Sequence, residues 1–372
     1  MGARPNFIKA APVIAALGRR HVKQVLIHTG QHYDDALSEV FFRELGLPRP
    51  DLDLGVGSGT HARQTAALLN ALESAFTDLA PALVVLYGDI NSTLAGALAA
   101  AKLGMAVAHV EAGLRSFDMG MPEEVNRRIT DLLSDLLFVT SPEAMDHLAA
   151  EGLDTRRAHF VGNPMIDTLL ANLDRFDPLP RREALGLGER YGVVTIHRPS
   201  NVDRIQDAQR LVRALAAVSE LIELVLPLHP RGRQTLEAAG LMSLPRLRVI
   251  EPQGYVDFIS LVRGAALVIT DSGGIQEETT ILGVPCLTMR PNTERPITIS
   301  HGTNQLVQPD GLLDAATAVL SGATGAAPDG PPLWDGHAGD RIAAIMEAWL
   351  SKRGNGVASA AMAEKQGRLV GL

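Results

Sequence analysis

Four side chains able to handle protons stand directly after apolar runs: Asp89 in YGDINST, Glu111 in HVEAGLRS, His197 in TIHRPSN and Asp271 in DSGGIQEE. Ligands of open parallel sheets bind beyond the carboxyl ends of the strands, so polar residues there carry more weight than others. A fifth, Glu123 in MPEEVNRR, opens a helical pattern. Glu111 leads straight into Ala112 and Gly113 with no capping role, which reads as functional. Asp89 equally suits a cap for a helix starting at Ser92. Glu123 and Glu124 equally suit a helix N-terminus, paired with Arg127 and Arg128. His197 equally reads as a satisfied core histidine. Three carboxylates converging on one cleft disfavour shared ionisation, so at least one pKa should rise enough for general acid or base work.

The stretch 266–283, ALVITDSGGIQEETTILG, joins a short β-branched run to a helical pattern through a glycine-bearing turn. Glycines let an anion approach the backbone, and a helix N-terminus offers unpaired N–H groups at its positive dipole end. Ser272, Gly273 and Gly274 therefore suit phosphate, and Glu278 suits the two hydroxyls of a ribose. Taken alone, Ser-Gly-Gly is also an ordinary strand-to-helix turn. Cations suited to a diphosphate stand in turns: Arg4 and Lys9 near the first helix, Arg198 after His197, and Arg295 in MRPNTERPI. Arginine offers bidentate bonding and lysine a point charge, although any one of them is also an ordinary surface charge. Gln253 and Phe258 in EPQGYVDF suit a base, while Phe258 by itself reads as helix core.

Alternating elements would hold these groups. Strand patterns fall at 22–29, 83–87, 106–110, 136–140 and 159–161, with helices at 34–45, 61–79, 92–103, 123–133 and 142–151. After a Pro- and Arg-rich linker at 174–190, strands follow at 192–196, 223–228, 247–250, 266–270 and 285–289. Helices lie between them, at 206–220 and 256–263 among others. Strands separated by helices of this length imply parallel sheets with right-handed crossovers. The chain opens on a Gly-Ala-Arg-Pro turn and a helix, where a doubly wound sheet has a strand first. We therefore expect the first sheet to lack its opening strand.

Composition narrows the function classes. A length of 372 residues suits about two domains. The 46% apolar content suits a folded α/β protein, and no apolar run has the length of a membrane span. A net charge of −8 argues against nonspecific nucleic-acid binding. The single cysteine, Cys286, excludes an intrachain disulfide and a cysteine-based zinc knuckle. His28 and His32 are separated by a turn, Thr29-Gly30-Gln31, so no metal site is implied. No strand is followed by a G-x-G-x-x-G fingerprint, so NAD is not implied either.

In order, the motifs GARPNFIKAAP, TGQHYD, YGDINSTLA, HVEAGLRSFD, MPEEVNRR, VGNPMIDTL, HRPSN, DSGGIQEE, MRPNTERP and GTNQLV run from Gly2 to about Val307. As an ordered set they resemble the non-hydrolysing UDP-N-acetylglucosamine 2-epimerases. The resemblance implies an α/β chain of two doubly wound parallel-sheet, Rossmann-like domains in a GT-B arrangement with an interdomain cleft. The domains are expected at 1–165 and 166–340, with a terminal helix at 341–352 rejoining the first and a frayed tail at 353–372. Carried over by motif, Arg4, Lys9, Ser272, Gly273, Gly274 and Arg295 would contact the phosphates. Glu278 would hold the ribose, and Gln253 with Phe258 the uracil region. Asp89, Glu111, Glu123 and His197 match the catalytic positions, although Ser200 stands where the family's HRxEN motif carries Glu.

The implied reaction interconverts UDP-N-acetylglucosamine and UDP-N-acetylmannosamine with no cofactor and no metal. The expected partner is a UDP-sugar, with neither nucleic acid nor membrane, in a cytoplasmic homodimer. The same motifs also fit a hydrolysing 2-epimerase and a 2-epimerase of a UDP-2,3-diacetamido uronic acid. A GT-B glycosyltransferase, or a silent nucleotide-sugar binder, is the reading from another class.

Overall fold

The computed structural model describes residues 4–30, 42–228, 232–322 and 330–367. Every strand pairing among them is parallel. The second half of the chain forms one six-stranded sheet from β7 (Tyr191–Thr195), β8 (Glu223–Pro227), β9 (Leu247–Ile250), β10 (Leu267–Thr270), β11 (Cys286–Thr288) and β12 (Asn304–Leu306). Its order is β12-β11-β10-β7-β8-β9, so the chain reverses direction across the sheet between β7 and β10. Crevices at such a reversal are where doubly wound sheets bind ligands. Helices cover both faces, which is why β7 and β10 are apolar along nearly their whole length.

The first half divides its strands. A four-stranded sheet runs β3 (Val84–Tyr87), β4 (Val107–Ala112), β5 (Leu136–Val139) and β6 (Ala158–Phe160). A separate pair joins β1 (Ile27–His28) to β2 (Leu52–Asp53). Between β1 and β3 lies a cavity of about 650 Å³, lined by Val25 and Ile27 on one side and by Val84 and Leu86 on the other. The strand expected over 22–29 is thus reduced to Ile27–His28. Among the described residues its ladder partner is β2, and Ile27 also lines the cavity. The expected helix at 34–45 falls mostly on residues outside those described, as does His32.

Helix α1 (Arg4–Arg19) buries Phe7, Ala10, Val13 and Leu17 at helical spacing. In α2 (His61–Leu79), Leu68, Leu72 and Phe76 pack on α3 (Asn91–Lys102), whose alanines allow close approach. The Glu123 helix is α4 (Pro122–Leu133). Helix α5 (Pro164–Ala171) is capped by Asn163 and crosses toward the second half. There α6 (Tyr255–Arg263) and α7 (Gly273–Leu282) flank the site. The stretch 174–190 holds a short helix, Pro178–Ala184, capped by Asp177.

The terminal helix α8 runs Ala338–Gly367, longer than expected, over an Ala-rich sequence, alanine being the strongest helix former. Asp167 accepts from Ala338 N and Gly339 N at 3.1 and 2.7 Å, fixing its start. Ile342, Ala343 and Met346 then complete the core of the first half, against α1. One further core joins the halves: Phe7 and Ile8 pack with Met165, Ile166, Tyr255 and Ile297. No helix of the described residues is long and apolar enough to cross a membrane.

Candidate functional site

Strand β4 delivers Glu111 in an unusual way. The pairing of β4 with β5 skips from Val110 to Ala112, so Glu111 is the extra residue of a bulge. Its φ of 77° is left-handed, which costs a non-glycine residue about 1–2 kcal/mol. Bulges re-aim side chains. Here the carboxylate turns to Lys9 of α1 and, from the other half, to Arg295 Nη2 at 2.8 Å. All three groups are buried.

Arg295 is the hub. Its guanidinium also pairs with Glu277 Oε1 at 2.9 Å and with Glu294. Glu294 is held in turn by Arg290 at 2.6 Å and approached by Arg198 at 3.6 Å. Burial raises the Glu294 carboxyl, but these three arginines outweigh it and hold it well below the usual range. Glu277 takes a bond from Asn163 Nδ2 at 3.0 Å, so a cap residue of the first half reaches the second. Burial pushes the Glu277 carboxyl up to about 7, partly countered by Arg295.

The glycine-bearing turn lies against this hub. A Cβ on Gly273 would stand 2.6 Å from Arg295 Nη1 and 2.9 Å from Glu294 Oε1, so only glycine fits. Gly274 is equally close to the Met165 methyl, at 2.6 Å. Ser272 takes the cap position of α7 with extended backbone. Glu278, one turn on, is 2% exposed, and its Oε1 has no hydrogen-bond partner among the described residues. Burial raises its carboxyl to about 8, and the Tyr255 hydroxyl offsets part of that rise.

Asp89 does not cap α3. The cap position is Ile90, and the Asp89 carboxylate pairs instead with Arg127 of α4. Burial raises the Asp89 carboxyl, but Arg127 and Lys9 outweigh it and hold it below the usual range. Glu124 is fully buried, accepting from Ser116 N at 2.8 Å and pairing with Arg127 at 2.8 Å, so it anchors the loop after β4. Glu123 beside it is half-buried, in the first turn of α4.

At the reversal between β7 and β10, Asp271 is fully buried and accepts from His197 N, Arg198 N and Asn201 Nδ2. It also lies 3.1 Å from His197 Nδ1. Support for His197 thus comes from Asp271 and Asn201, although position 200 is serine. Gln253 is half-buried and donates to Glu251 O, and Phe258 packs into the cores beside α6. The side chain of Arg4 lies outside the described residues.

The structure therefore joins Lys9, Glu111 and Arg295 beside Gly273 and sets Asp89 next to Lys9's charge, with Glu123 in the first turn of α4. Sequence reasoning had not singled out Glu277, Glu294, Arg290 or Asn163, and it had named Arg127 only as a helix partner of Glu123 and Glu124. Each sits inside a motif already noted, and the signal was the density of charge in apolar surroundings at DSGGIQEE and MRPNTERP. Among the described residues no group of three or more His, Cys, Asp or Glu is placed to hold a metal ion.

Comparison with known proteins sharpens this picture. A sequence model of the UDP-N-acetylglucosamine 2-epimerase family matches residues 15–347. The UDP-N-acetylglucosamine 2-epimerase of Methanocaldococcus jannaschii is 39% identical over 358 residues, covering 93% of this chain and 97% of its own. The UDP-2,3-diacetamido-2,3-dideoxy-D-glucuronate 2-epimerase of Pseudomonas aeruginosa is 41% identical over 354 residues, covering 92% and 97%. Among solved structures, the Methanocaldococcus jannaschii enzyme in complex with UDP-GlcNAc and UDP superposes with a TM-score of 0.87, covering 93% of this chain and 98% of that one, at 39% identity. The Neisseria meningitidis enzyme bound to UDP-GlcNAc gives 0.85 at 26% identity, covering 93% and 98%.

Proposed function

The chain belongs to the UDP-N-acetylglucosamine 2-epimerase family, and from that premise we propose that it interconverts UDP-N-acetylglucosamine and UDP-N-acetylmannosamine. Its two parallel sheets share the GT-B arrangement of those relatives. The observation that carries the reading is the contact of the bulge residue Glu111 with Arg295, beside the glycines that open α7. It brings a buried carboxylate within a few ångströms of cations suited to a departing diphosphate.

C2 of the sugar has no neighbouring carbonyl, so its proton is not removed as an ordinary enolate proton. C1 next door carries UDP. A carboxylate takes the C2 proton, the C–H electrons form the C1=C2 bond, and the C1–O bond breaks with its pair leaving on UDP. Re-addition of UDP at C1 and of a proton at the other face of C2 gives the epimer. We assign the proton transfers to Asp89, Glu111 and Glu123, with His197 beside the diphosphate. Lys9, Arg295 and the α7 N-terminus, with Ser272, Gly273 and Gly274, balance the charge on UDP, joined by Arg4. The orphaned, buried Glu278 Oε1 suits a ribose hydroxyl, and Gln253 with Phe258 the uracil.

Proton exchange tests the reading. UDP-N-acetylglucosamine incubated with the protein in D2O should gain deuterium at C2 and yield the manno epimer by NMR. Binding without exchange would make the chain a nucleotide-sugar binder, and free sugar as product would make it hydrolysing. The Pseudomonas aeruginosa relative supports a second reading, with a UDP-diacetamido uronic acid as substrate. Relative kcat/KM on the two sugars decides between them. We also assign it a homodimeric state, to be checked by sedimentation.

A further inference from the structure

Behind the carboxylates lies a buried network that the reaction scheme above does not use. His109 is the third residue of β4 and is fully buried. Its Nε2 lies 2.7 Å from Gly88 O, at the turn just before Asp89. Its Nδ1 lies 2.7 Å from Asp131 Oδ1 on α4. The other Asp131 oxygen accepts from Gly113 N at 3.1 Å, two residues past Glu111, and pairs with Arg115 Nη1 at 2.7 Å. Arg115 continues outward to Glu151 at 2.8 Å.

These contacts reach three segments at once. Gly88 O fixes the turn that carries Asp89. Gly113 N fixes the far side of the Glu111 bulge. Asp131 itself sits on α4, whose first turn carries Glu123. Gly113 is held there by sterics as well, since a Cβ at its φ of 79° would lie 2.5 Å from Ala144 O. Burial raises the Asp131 carboxyl, but His109 and Arg115 outweigh it and hold it below the usual range, so it stays an acceptor on both oxygens. A carboxylate on one side and a carbonyl on the other both accept, so the ring donates from both nitrogens. No amide side chain spans the two acceptors from one position. Removing one partner of a pair this deeply buried leaves the other group without its hydrogen bond, which is costly, and a fully satisfied network of this kind is rigid.

We propose that His109 and Asp131 are a positioning pair that sets the mutual placement of Asp89, Glu111 and the Glu123 helix. They touch no substrate and act through Gly88 and Gly113. This rests on the epimerase reading above. A displacement of about 1 Å at the reacting groups costs on the order of 100-fold in rate, so the effect should fall on turnover.

The test compares His109→Gln and Asp131→Asn with the parent, counting sites by UDP titration calorimetry and following turnover of UDP-N-acetylglucosamine. Turnover per UDP site should fall about 10- to 100-fold in each, with site number and UDP Kd within about twofold. In an Asp89→Asn background the same changes should add far less than their separate cost, because both act on one constellation. Site number falling in step with turnover in both variants would mean mere loss of fold and would overturn the proposal. Costs that multiply in full with Asp89→Asn, or variants as active as the parent, would overturn it too. A parent that binds UDP but exchanges no C2 proton would instead defeat the functional reading on which the proposal rests.

Discussion

The two halves of the molecule follow one plan and depart from it at one place. In the second half β7 sits at the centre, paired on both sides by β8 and β10. The first half repeats the order, with β2 and β1 on one side and β3, β4 and β5 on the other, but the central position is a cavity. On the proposed function the halves also divide the chemistry. The first contributes carboxylates from β3, β4 and α4, and the second contributes Arg295 and the opening of α7. The carboxylates stand on the unbroken part of the first sheet, stiffened by the His109–Asp131 pair.

The largest effects should separate the halves by what they do. Glu111→Gln and Asp89→Asn remove groups assigned to proton transfer, so each should lower kcat by about 100-fold or more, with UDP Kd nearly unchanged by calorimetry. Variants with parental turnover would return both residues to structural roles. Gly273→Val acts on the other half. Its side chain would meet Arg295 Nη1, which a bare Cβ already reaches at 2.6 Å. UDP Kd should rise by about tenfold, with a lower melting temperature but a folded protein. Unchanged UDP affinity would move the diphosphate away from α7.

Much of this was legible from sequence because parallel strands buried on both faces read as short β-branched runs. The helices His61–Leu79 and Pro122–Leu133 fall within a residue of expectation, for their apolar spacing leaves little choice. The short outer strands β2 and β12 were not foreseen, since two or three residues carry no period. Glu111 was singled out by its place after a strand, but its bulge was not foreseen, because register depends on the partner strand. Glu277 and Glu294 were missed for a related reason. Their importance lies in a contact between halves, at Arg295, that no local pattern encodes. The alternative reading of Asp89 as a cap fell to Arg127, a tertiary partner 38 residues away.

The halves should also differ in how stability follows pH. In the second half burial raises Glu278 to about 8 from an ordinary value of 4.5. Between those values the native state holds a proton that the unfolded chain has lost, so stability falls as pH rises toward 8 and levels off above it. Asp89 and Asp131 of the first half are lowered from 3.8. Their contribution is present above that value and is lost on acidification through their lower native pKa. Melting temperature should therefore decline less steeply from pH 5 to 8 in Glu278→Gln than in the parent, both without ligand. Asp131→Asn should lower the melting temperature through neutral pH and flatten the fall on the acid limb. Parallel melting curves for parent and Glu278→Gln across pH 5 to 8 would refute the first half of this statement.

The smallest effect is the most direct probe of the interrupted sheet. Successive amides of a parallel strand point to opposite neighbours. Val84 N bonds Ala106 O on the β4 side, and Gly88 N bonds Val110 O on that side too. The amides of Val85 and Tyr87 therefore point toward the cavity, where no strand of the described residues receives them. In β7 both directions are occupied, by β8 and β10. Native-state hydrogen exchange should accordingly alternate along β3, with Val85 and Tyr87 exchanging at least about tenfold faster than Val84 and Leu86. Along β7, Val193 and Val194 should be protected alike. The alternation should be lost if the first half opens as one unit, since global opening exposes every amide equally. Uniform protection along β3 under conditions that favour local opening would show that the cavity edge is closed in solution and that the two sheets are mechanically equivalent.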